Sequence, residues 1–188
     1  MWRWLALLAL LALLPAPLAL ARDVPIDTEN SVIGFEIRTR YGQRLTGRFP
    51  VFQGQVQTLE DGRETFSLTI DARFAEVNGY KRYTSWLRGE DFFDVQHHPW
   101  IHFRSQPQLP GIAHSGGEAR GELTLRGVSG PIRMQVAPAQ CGAPGYDCPV
   151  VGRGTVSRAA YGMDGWQLAV GDRVTFVLQI RLNGGNPT

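Results

Sequence analysis

The chain has 188 residues, and its 19 Lys and Arg against 17 Asp and Glu give a formal net charge of +2 at pH 7. The basic residues are spread along the chain, so charge gives no indication of a nucleic-acid-binding surface. With 43% hydrophobic residues, the length suits one domain that has a sizeable core or an enclosed cavity.

The N-terminus carries the pattern of a secretory signal peptide. Arg3 supplies the positive start, residues 5–14 contain only Leu and Ala, and residues 19–21 (ALA) form a small-x-small cleavage signal. The apolar run is too short to span a bilayer, which needs roughly 20 residues. We therefore predict a signal peptide over 1–21 and an exported domain over 22–183; an uncleaved anchor is the alternative.

Alternating apolar and polar residues predict about eight antiparallel strands. Residues 184–188 are predicted to form a disordered tail. In chain order the strand-like segments are 32–39, 44–49, 52–57, 66–71, 101–106, 121–126, 132–136, 150–158 and 174–182. The Asp61-Gly62 step and residues 127–131 predict hairpin turns. Such a sheet commonly closes into a barrel, which removes its edges and can enclose one small or elongated ligand.

One segment lacks this alternation. Residues 80–93 place Tyr83, Trp86 and Leu87 at i, i+3 and i+4, which predicts a short helix that ends near Gly89.

The following stretch, RGEDFFDVQHHPWIHFRS, gathers two Asp and three His in a way that could indicate a metal or acid–base site. Adjacent side chains on an extended segment point apart, and Pro99 favours an extended backbone at His98. No helical His-x-x-x-His spacing is present. We therefore interpret Asp91 and Asp94 as turn or capping residues. Phe92 and Phe93 are predicted to close one barrel mouth.

Two cysteines occur within CGAPGYDC, at positions 141 and 148. Export to an oxidising compartment favours a disulfide between Cys141 and Cys148. A metal or redox pair is the alternative, although this spacing fits no common zinc or redox motif.

Four blocks together resemble the YceI-like family of lipid- or polyisoprenoid-binding proteins. The blocks are 26–27 with 31–35 (SVIGF), 47–49 and 52–54; 87–95 (LRGEDFFDV) with 99–105 (PWIHFRS); 121–128 (GELTLRGV); and 157–158 with 161–162 and 170–174. The resemblance covers nearly all of the exported domain. Tyr83, Thr84 and Trp86 depart from it, because the family often has an Arg-Asp pair and a His there.

The resemblance implies an all-β fold: an extended lipocalin-like barrel of eight antiparallel strands in the periplasm. It also implies an apolar tunnel for an isoprenoid, quinone-type or fatty-chain lipid, without an established catalytic centre. From the residues themselves, no metal or other cofactor is expected. With the strand phases, it predicts that the tunnel is lined by Phe35, Ile37, Phe49, Phe52, Leu68, Ile70, Trp86, Phe92, Phe93, Ile101, Phe103, Leu123, Leu125, Met134, Phe176 and Leu178. Arg88 and Arg158 are predicted head-group contacts.

The predicted function is non-catalytic transport, storage or sequestration of such a lipid. No nucleic-acid partner is expected, while transient membrane contact and a homodimer stay open. One alternative is a structural or stress-protective envelope module whose barrel is filled by side chains. The other is a metal-dependent small-molecule enzyme that uses the Asp/His cluster.

Overall fold

The computed structural model describes residues 22–184, so the predicted signal peptide and residues 185–188 lie outside the described residues. The strands are β1 (Arg22–Pro25), β2 (Val32–Thr39), β3 (Arg44–Arg48), β4 (Phe52–Thr58), β5 (Glu64–Asp71), β6 (Glu76–Val77), β7 (Trp100–Ser105), β8 (Gly117–Leu125), β9 (Val128–Val136), β10 (Val150–Ser157) and β11 (Val170–Ile180). The helices are α1 (Lys81–Arg88) and α2 (Ile112–Ser115), and 3₁₀ turns occupy Ala72–Phe74 and Ala159–Tyr161. No helix within residues 22–184 has the length and apolarity needed to cross a membrane.

All strands of the described chain belong to one curled antiparallel sheet in the order β1-β4-β5-β7-β8-β9-β10-β11-β2-β3-β6. Strand β1 pairs with β4, and just beyond it Ile26 forms a bridge with Leu182, which follows β11. The Asp27 N–H donates to the Arg181 carbonyl at 2.8 Å, and the Asn183 N–H donates to the Pro25 carbonyl at 2.9 Å. The two ends of the described chain therefore close one side of a lipocalin-like barrel, as predicted.

The strand count is eleven within the described residues rather than eight. The nine strand-like segments of the sequence all form strands. The two strands beyond them are short: β1 has four residues and ends in Pro25, and β6 has two residues. Neither is long enough to show period-2 alternation, so the pattern could not reveal them.

Along the strands, the side chains predicted to point inward are generally buried and those predicted to point outward are more exposed. On β7, Ile101 and Phe103 are buried, while His102 and Arg104 are exposed. Large inward side chains lie over glycines of neighbouring strands: an added Cβ would be 2.1 Å from the Phe35 ring at Gly47 and 2.2 Å from the Met134 sulfur at Gly154. These glycines therefore make room for the bulky side chains inside the barrel.

The predicted hairpins form between β4 and β5 and between β8 and β9. The second turn is tighter than the predicted loop over 127–131, because β9 already begins at Val128. Arg126 and Gly127 carry the turn with φ of 51° and 72°. Two consecutive positive φ values are typical of the two-residue turn that matches the twist of paired strands.

Helix α1 matches the predicted position and ends at Arg88; the N–H of the next residue, Gly89, donates to the Trp86 carbonyl. Leu87 is buried against the barrel, and after the helix the chain turns back so that Phe93 also enters the core. The helix with its following loop therefore covers one end of the barrel.

Candidate functional site

The barrel interior contains two separate cavities, one towards each end. The larger, chamber 1, has a volume of ≈ 510 Å³. Its apolar lining includes Val24, Val56, Phe66, Phe103, Ile112, Ala119, Met134, Val136, Val150, Leu178, Ile180 and Leu182. The smaller, chamber 2, has a volume of ≈ 240 Å³. Its apolar lining includes Phe35, Ile37, Leu45, Val77, Tyr83, Trp86, Leu87, Phe92, Phe93, Leu125, Val156, Met163, Trp166, Val170, Val174 and Phe176.

Chamber 1 combines an apolar wall with a small number of polar side chains. Arg22, Glu64, Gln108, His114 and Tyr146 all contribute to its lining. An apolar pocket that carries a few polar groups is the usual form of a site for a small organic ligand, because the polar groups orient what the apolar wall holds.

The loop closed by the Cys141–Cys148 disulfide forms part of the chamber 1 wall. This bond confirms the predicted pairing. The loop is fastened to the end of the barrel, since the Leu182 N–H donates to the Gly145 carbonyl at 2.8 Å and Arg181 Nη1 donates to the Tyr146 carbonyl at 2.6 Å. The disulfide thus holds a Gly/Pro-rich loop in place over the larger cavity.

Stacked aromatic rings cover chamber 2. The Tyr83 ring stacks on those of Tyr80 and Trp86 at centroid distances of 5.0 and 5.3 Å, and the Trp166 ring lies tilted against Trp86 at 4.7 Å. At the rim Tyr41 is 90% exposed. The aromatic residues that replace the family's charged and titratable groups in α1 are therefore members of this stack.

Arg158 is a buried cation on the wall of chamber 2, with 2% of its surface exposed. Its Nε donates to the Gly171 carbonyl at 3.1 Å and its Nη2 to the Gly165 carbonyl at 3.0 Å, while Nη1 has no partner among residues 22–184. Burial lowers the pKa of the guanidinium from its usual value, and Asp172 and Asp164 partly oppose that shift. The guanidinium lies 5.4 Å from the centre of the Phe92 ring.

A solid layer of side chains separates the two chambers. It is formed by buried residues that line neither chamber: Ile33, Phe49, Leu68, Ile70, Ile101, Leu123 and Ile132. At its centre the Phe49 ring lies 5.3 Å from that of Phe35, 5.6 Å from Phe93 and 6.3 Å from Phe176. We call this set the partition layer.

The structure divides the predicted tunnel residues into three groups. Those that line chamber 1 are Phe103, Met134 and Leu178. Those that line chamber 2 are Phe35, Ile37, Trp86, Phe92, Phe93, Leu125 and Phe176. Those that line neither are Phe49, Phe52, Leu68, Ile70, Ile101 and Leu123, of which all but Phe52 belong to the partition layer.

The two predicted head-group residues are placed differently. Arg158 lines chamber 2, whereas Arg88 lines neither chamber and its Nε donates to the Ala75 carbonyl at 2.9 Å.

Sequence reasoning missed much of the chamber 1 wall. Val56 and Ile180 fall within segments predicted as strands and could have been found by alternation, but Ile112 and Val24 lie in elements too short to show it.

The two Asp side chains of the stretch after α1 each have a side-chain partner. Asp94 Oδ1 lies 2.9 Å from His97 Nδ1, and Asp91 Oδ2 accepts a bond from Trp166 Nε1 at 2.9 Å. The partners of both carboxylates are therefore side chains rather than the backbone N–H groups that a capping residue binds. No cluster of three or more His, Cys, Asp or Glu that could hold a metal ion occurs within the described part of the chain.

Comparison with known families gives a match to the YceI-like domain over residues 25–182. The chain belongs to this family. The match takes in the barrel strands from β2 to β11, both helices and the disulfide loop. None of the curated proteins matches the chain.

Solved structures share the fold of this YceI-like protein at low sequence identity. BcnA of Burkholderia cenocepacia has a TM-score of 0.67 and 23% identity, over 82% of this chain and 98% of that one. A polyisoprenoid binding domain of Saccharophagus degradans, implicated in plant cell wall breakdown, has a TM-score of 0.61 and 17% identity, over 85% and 98%. A mutant YceI protein of Campylobacter jejuni has a TM-score of 0.53 and 13% identity, over 74% and 85%.

Proposed function

We propose that this protein binds an isoprenoid, quinone-type or fatty-chain amphiphile inside its barrel and holds it for transport, storage or sequestration, without catalysis. The observation that carries the proposal is chamber 1. Its volume of ≈ 510 Å³ lies within the roughly 300–1,000 Å³ of small-ligand sites, and its wall is mainly apolar.

The energetic basis is burial of apolar ligand surface. Each methylene group removed from water contributes about 0.8 kcal/mol, less the cost of ordering the chain. Chamber 1 is already formed and the disulfide fastens part of its wall, so little of this free energy is spent on shaping the site. The polyisoprenoid binding domain with the same fold supports a lipid-like ligand.

We place the polar end of a chamber 1 ligand near Arg22, His114 and Tyr146, which line that chamber. Arg158 lies beyond the partition layer, so it can meet the head group only of a ligand that enters chamber 2. Its buried charge and unpartnered Nη1 support an acidic group there, because a buried cation is stabilised by a hydrogen-bonded anion.

The test is a lipid-uptake measurement on two variants that block one chamber each. In Gly152→Leu the new side chain would enter chamber 1, where an added Cβ makes ordinary contacts at 3.5 Å with Met134 and 3.9 Å with Leu178. Leu125→Trp adds bulk at a chamber 2 wall position. We expect the purified protein to carry lipid in native mass spectra and to take up an added prenyl alcohol.

Gly152→Leu is expected to lower that uptake at least tenfold while the circular dichroism of the sheet persists; Leu125→Trp is expected to leave chamber 1 uptake within about twofold. A wild-type protein that neither carries lipid nor takes up the prenyl alcohol would contradict the proposal. That result would instead favour the structural envelope module. The alternative requires a barrel filled by side chains, and the partition layer already fills part of this one.

Periplasmic location forms part of the proposal. A signal-peptide pattern over residues 1–21 and a disulfide in the exported domain both suit an oxidising compartment. Osmotic-shock fractionation followed by intact-mass measurement should yield a chain that begins at Arg22 and has no free thiol. Recovery of a full-length chain from the cytoplasm would contradict this location.

Transient membrane contact is supported by exposed apolar side chains near the chamber mouths. Leu168 is 90% exposed beside chamber 2, and Leu109 is 76% exposed beside Gln108 of chamber 1. Prenyl-lipid transfer from vesicles should slow several-fold in Leu109→Glu or Leu168→Glu; unchanged transfer in both would argue for uptake from solution. We also keep a homodimer as a prediction, which the mass in solution from light scattering tests.

A further inference from the structure

Single strands contribute lining residues to both chambers, and these residues lie close together along the strand. On β11, Leu178 lines chamber 1 and Phe176, the next inward residue, lines chamber 2. On β8, Ala119 lines chamber 1 and Leu125 lines chamber 2, with buried Leu123 between them. Within residues 22–184 the two chambers have no lining residue in common, and the buried side chains of the partition layer line neither of them.

Phe49 is the largest apolar side chain in this layer, and its backbone is held in place. Its side chain is 1% exposed, and its N–H donates to the Ile33 carbonyl at 2.9 Å. The next residue, Pro50, has a fixed φ and restricts Phe49 to extended conformations. The ring can therefore move aside only by disturbing its packing against Phe35, Phe93 and Phe176.

The volume of chamber 1 limits what can enter without such a disturbance. A group the size of a water molecule occupies about 30 Å³, and a methylene group is of similar size. A volume of ≈ 510 Å³ therefore holds on the order of 17 carbon groups. This is the tail of a three-isoprene lipid or of a common fatty acid, and it is far shorter than an eight-isoprene chain.

We infer that the partition layer, with Phe49 at its centre, sets an upper limit on tail length, so that the ligand of chamber 1 is a short-tailed amphiphile of about three isoprene units or the equivalent fatty chain. This inference rests on the proposed lipid-binding function. A longer tail leaves its remaining part in water, and this part adds nothing to affinity.

The experiment is a titration of the full exported domain with prenyl alcohols of two, three, four and eight isoprene units, each below its aggregation concentration. For the wild type we expect affinity to rise at least about tenfold from two units to three. From four units to eight the affinity should change less than about twofold. A rise that continues to eight units would overturn the inference.

Phe49→Ala and the milder Phe49→Leu test the role of the ring. Opening the partition layer should let the gain in affinity continue beyond four units, to at least tenfold between four and eight. Tyr161→Ala is the matched control, because Tyr161 is an equally buried aromatic residue that lines neither chamber; its chain-length limit should equal that of the wild type.

The outcomes separate the two proposals. If no prenyl alcohol of any length binds, the proposed function fails and the inference fails with it. If the alcohols bind but folded Phe49→Leu keeps the wild-type limit, the inference fails and the proposed function stands. If both Phe49 variants fail to fold, the wild-type length profile alone supports or overturns the limit.

Discussion

The Phe93 ring lies 5.6 Å from the Phe49 ring and meets the Phe35 ring edge-on at 6.4 Å. The contact joins the loop after α1 to the centre of the barrel, because Phe49 lies between β3 and β4. A segment rich in Asp and His thus contributes to the site chiefly through a phenylalanine.

Phe93→Ala should lower the free energy of unfolding by about 3–5 kcal/mol, because it removes a 5% exposed ring from the core. Phe74→Ala is the matched control, since Phe74 is 47% exposed, and its effect should stay within roughly 0.5 kcal/mol. Denaturant unfolding followed by circular dichroism measures both values. Equal losses in the two variants would show that Phe93 is not a core residue.

Removal of the disulfide in Cys141→Ser/Cys148→Ser should cost about 2–3 kcal/mol of stability, since the closed loop is short. The loop forms part of the chamber 1 wall, so bound lipid should also leave several-fold faster. Stopped-flow displacement of a fluorescent fatty acid measures the release rate. An unchanged release rate in the folded double variant would mean that the loop does not hold the chamber closed.

Arg158 should give chamber 2 a preference for an anion. A two-isoprene phosphate should bind at least tenfold more tightly than the matching alcohol when Gly152→Leu blocks chamber 1, because the buried guanidinium on the chamber 2 wall attracts the phosphate. Adding Arg158→Gln should abolish this preference, whereas Arg104→Gln, at an exposed position on β7, should keep it. Equal binding of phosphate and alcohol with Arg158 intact would refute this role.

His97 should titrate above its ordinary pKa of 6.5, because its hydrogen bond to Asp94 raises the pKa of the imidazole. The pair then stabilises the fold below about pH 6.5, and this contribution is lost as pH rises through the raised pKa. Asp94→Asn should bring the pKa of His97 back towards 6.5 in an NMR titration. Asn is suited to the φ of 47° at this position, so a pKa that stays raised would contradict the pairing.

Much of the fold could be predicted because local patterns carry it. Alternation placed Ile101 and Phe103 inside, and the i, i+3, i+4 stripe of Tyr83, Trp86 and Leu87 located α1 with its end near Gly89. The division of the interior could not be predicted in this way. Alternation shows that a side chain points inward, but whether it borders a void depends on which rings meet it from other strands.

Phe49 illustrates that limit. It lies just after β3, and its ring contacts Phe35 of the neighbouring β2 as well as Phe93 and Phe176, which come from distant parts of the chain. Arg158 is a second case: sequence reasoning could nominate it as a head-group contact, but only the packed structure shows its Nη1 to be buried without a partner among the described residues.

The pairing of β11 with β2 has a consequence for the order of folding. Among the strands of residues 22–184, β11 is the longest and the last in sequence, and it must join one of the first while also pairing with β10. Contacts so distant in sequence are slow to form, because a long loop has to close before they can stabilise anything. We therefore expect that a ribosome-bound chain lacking β11 has neither chamber and captures no ligand.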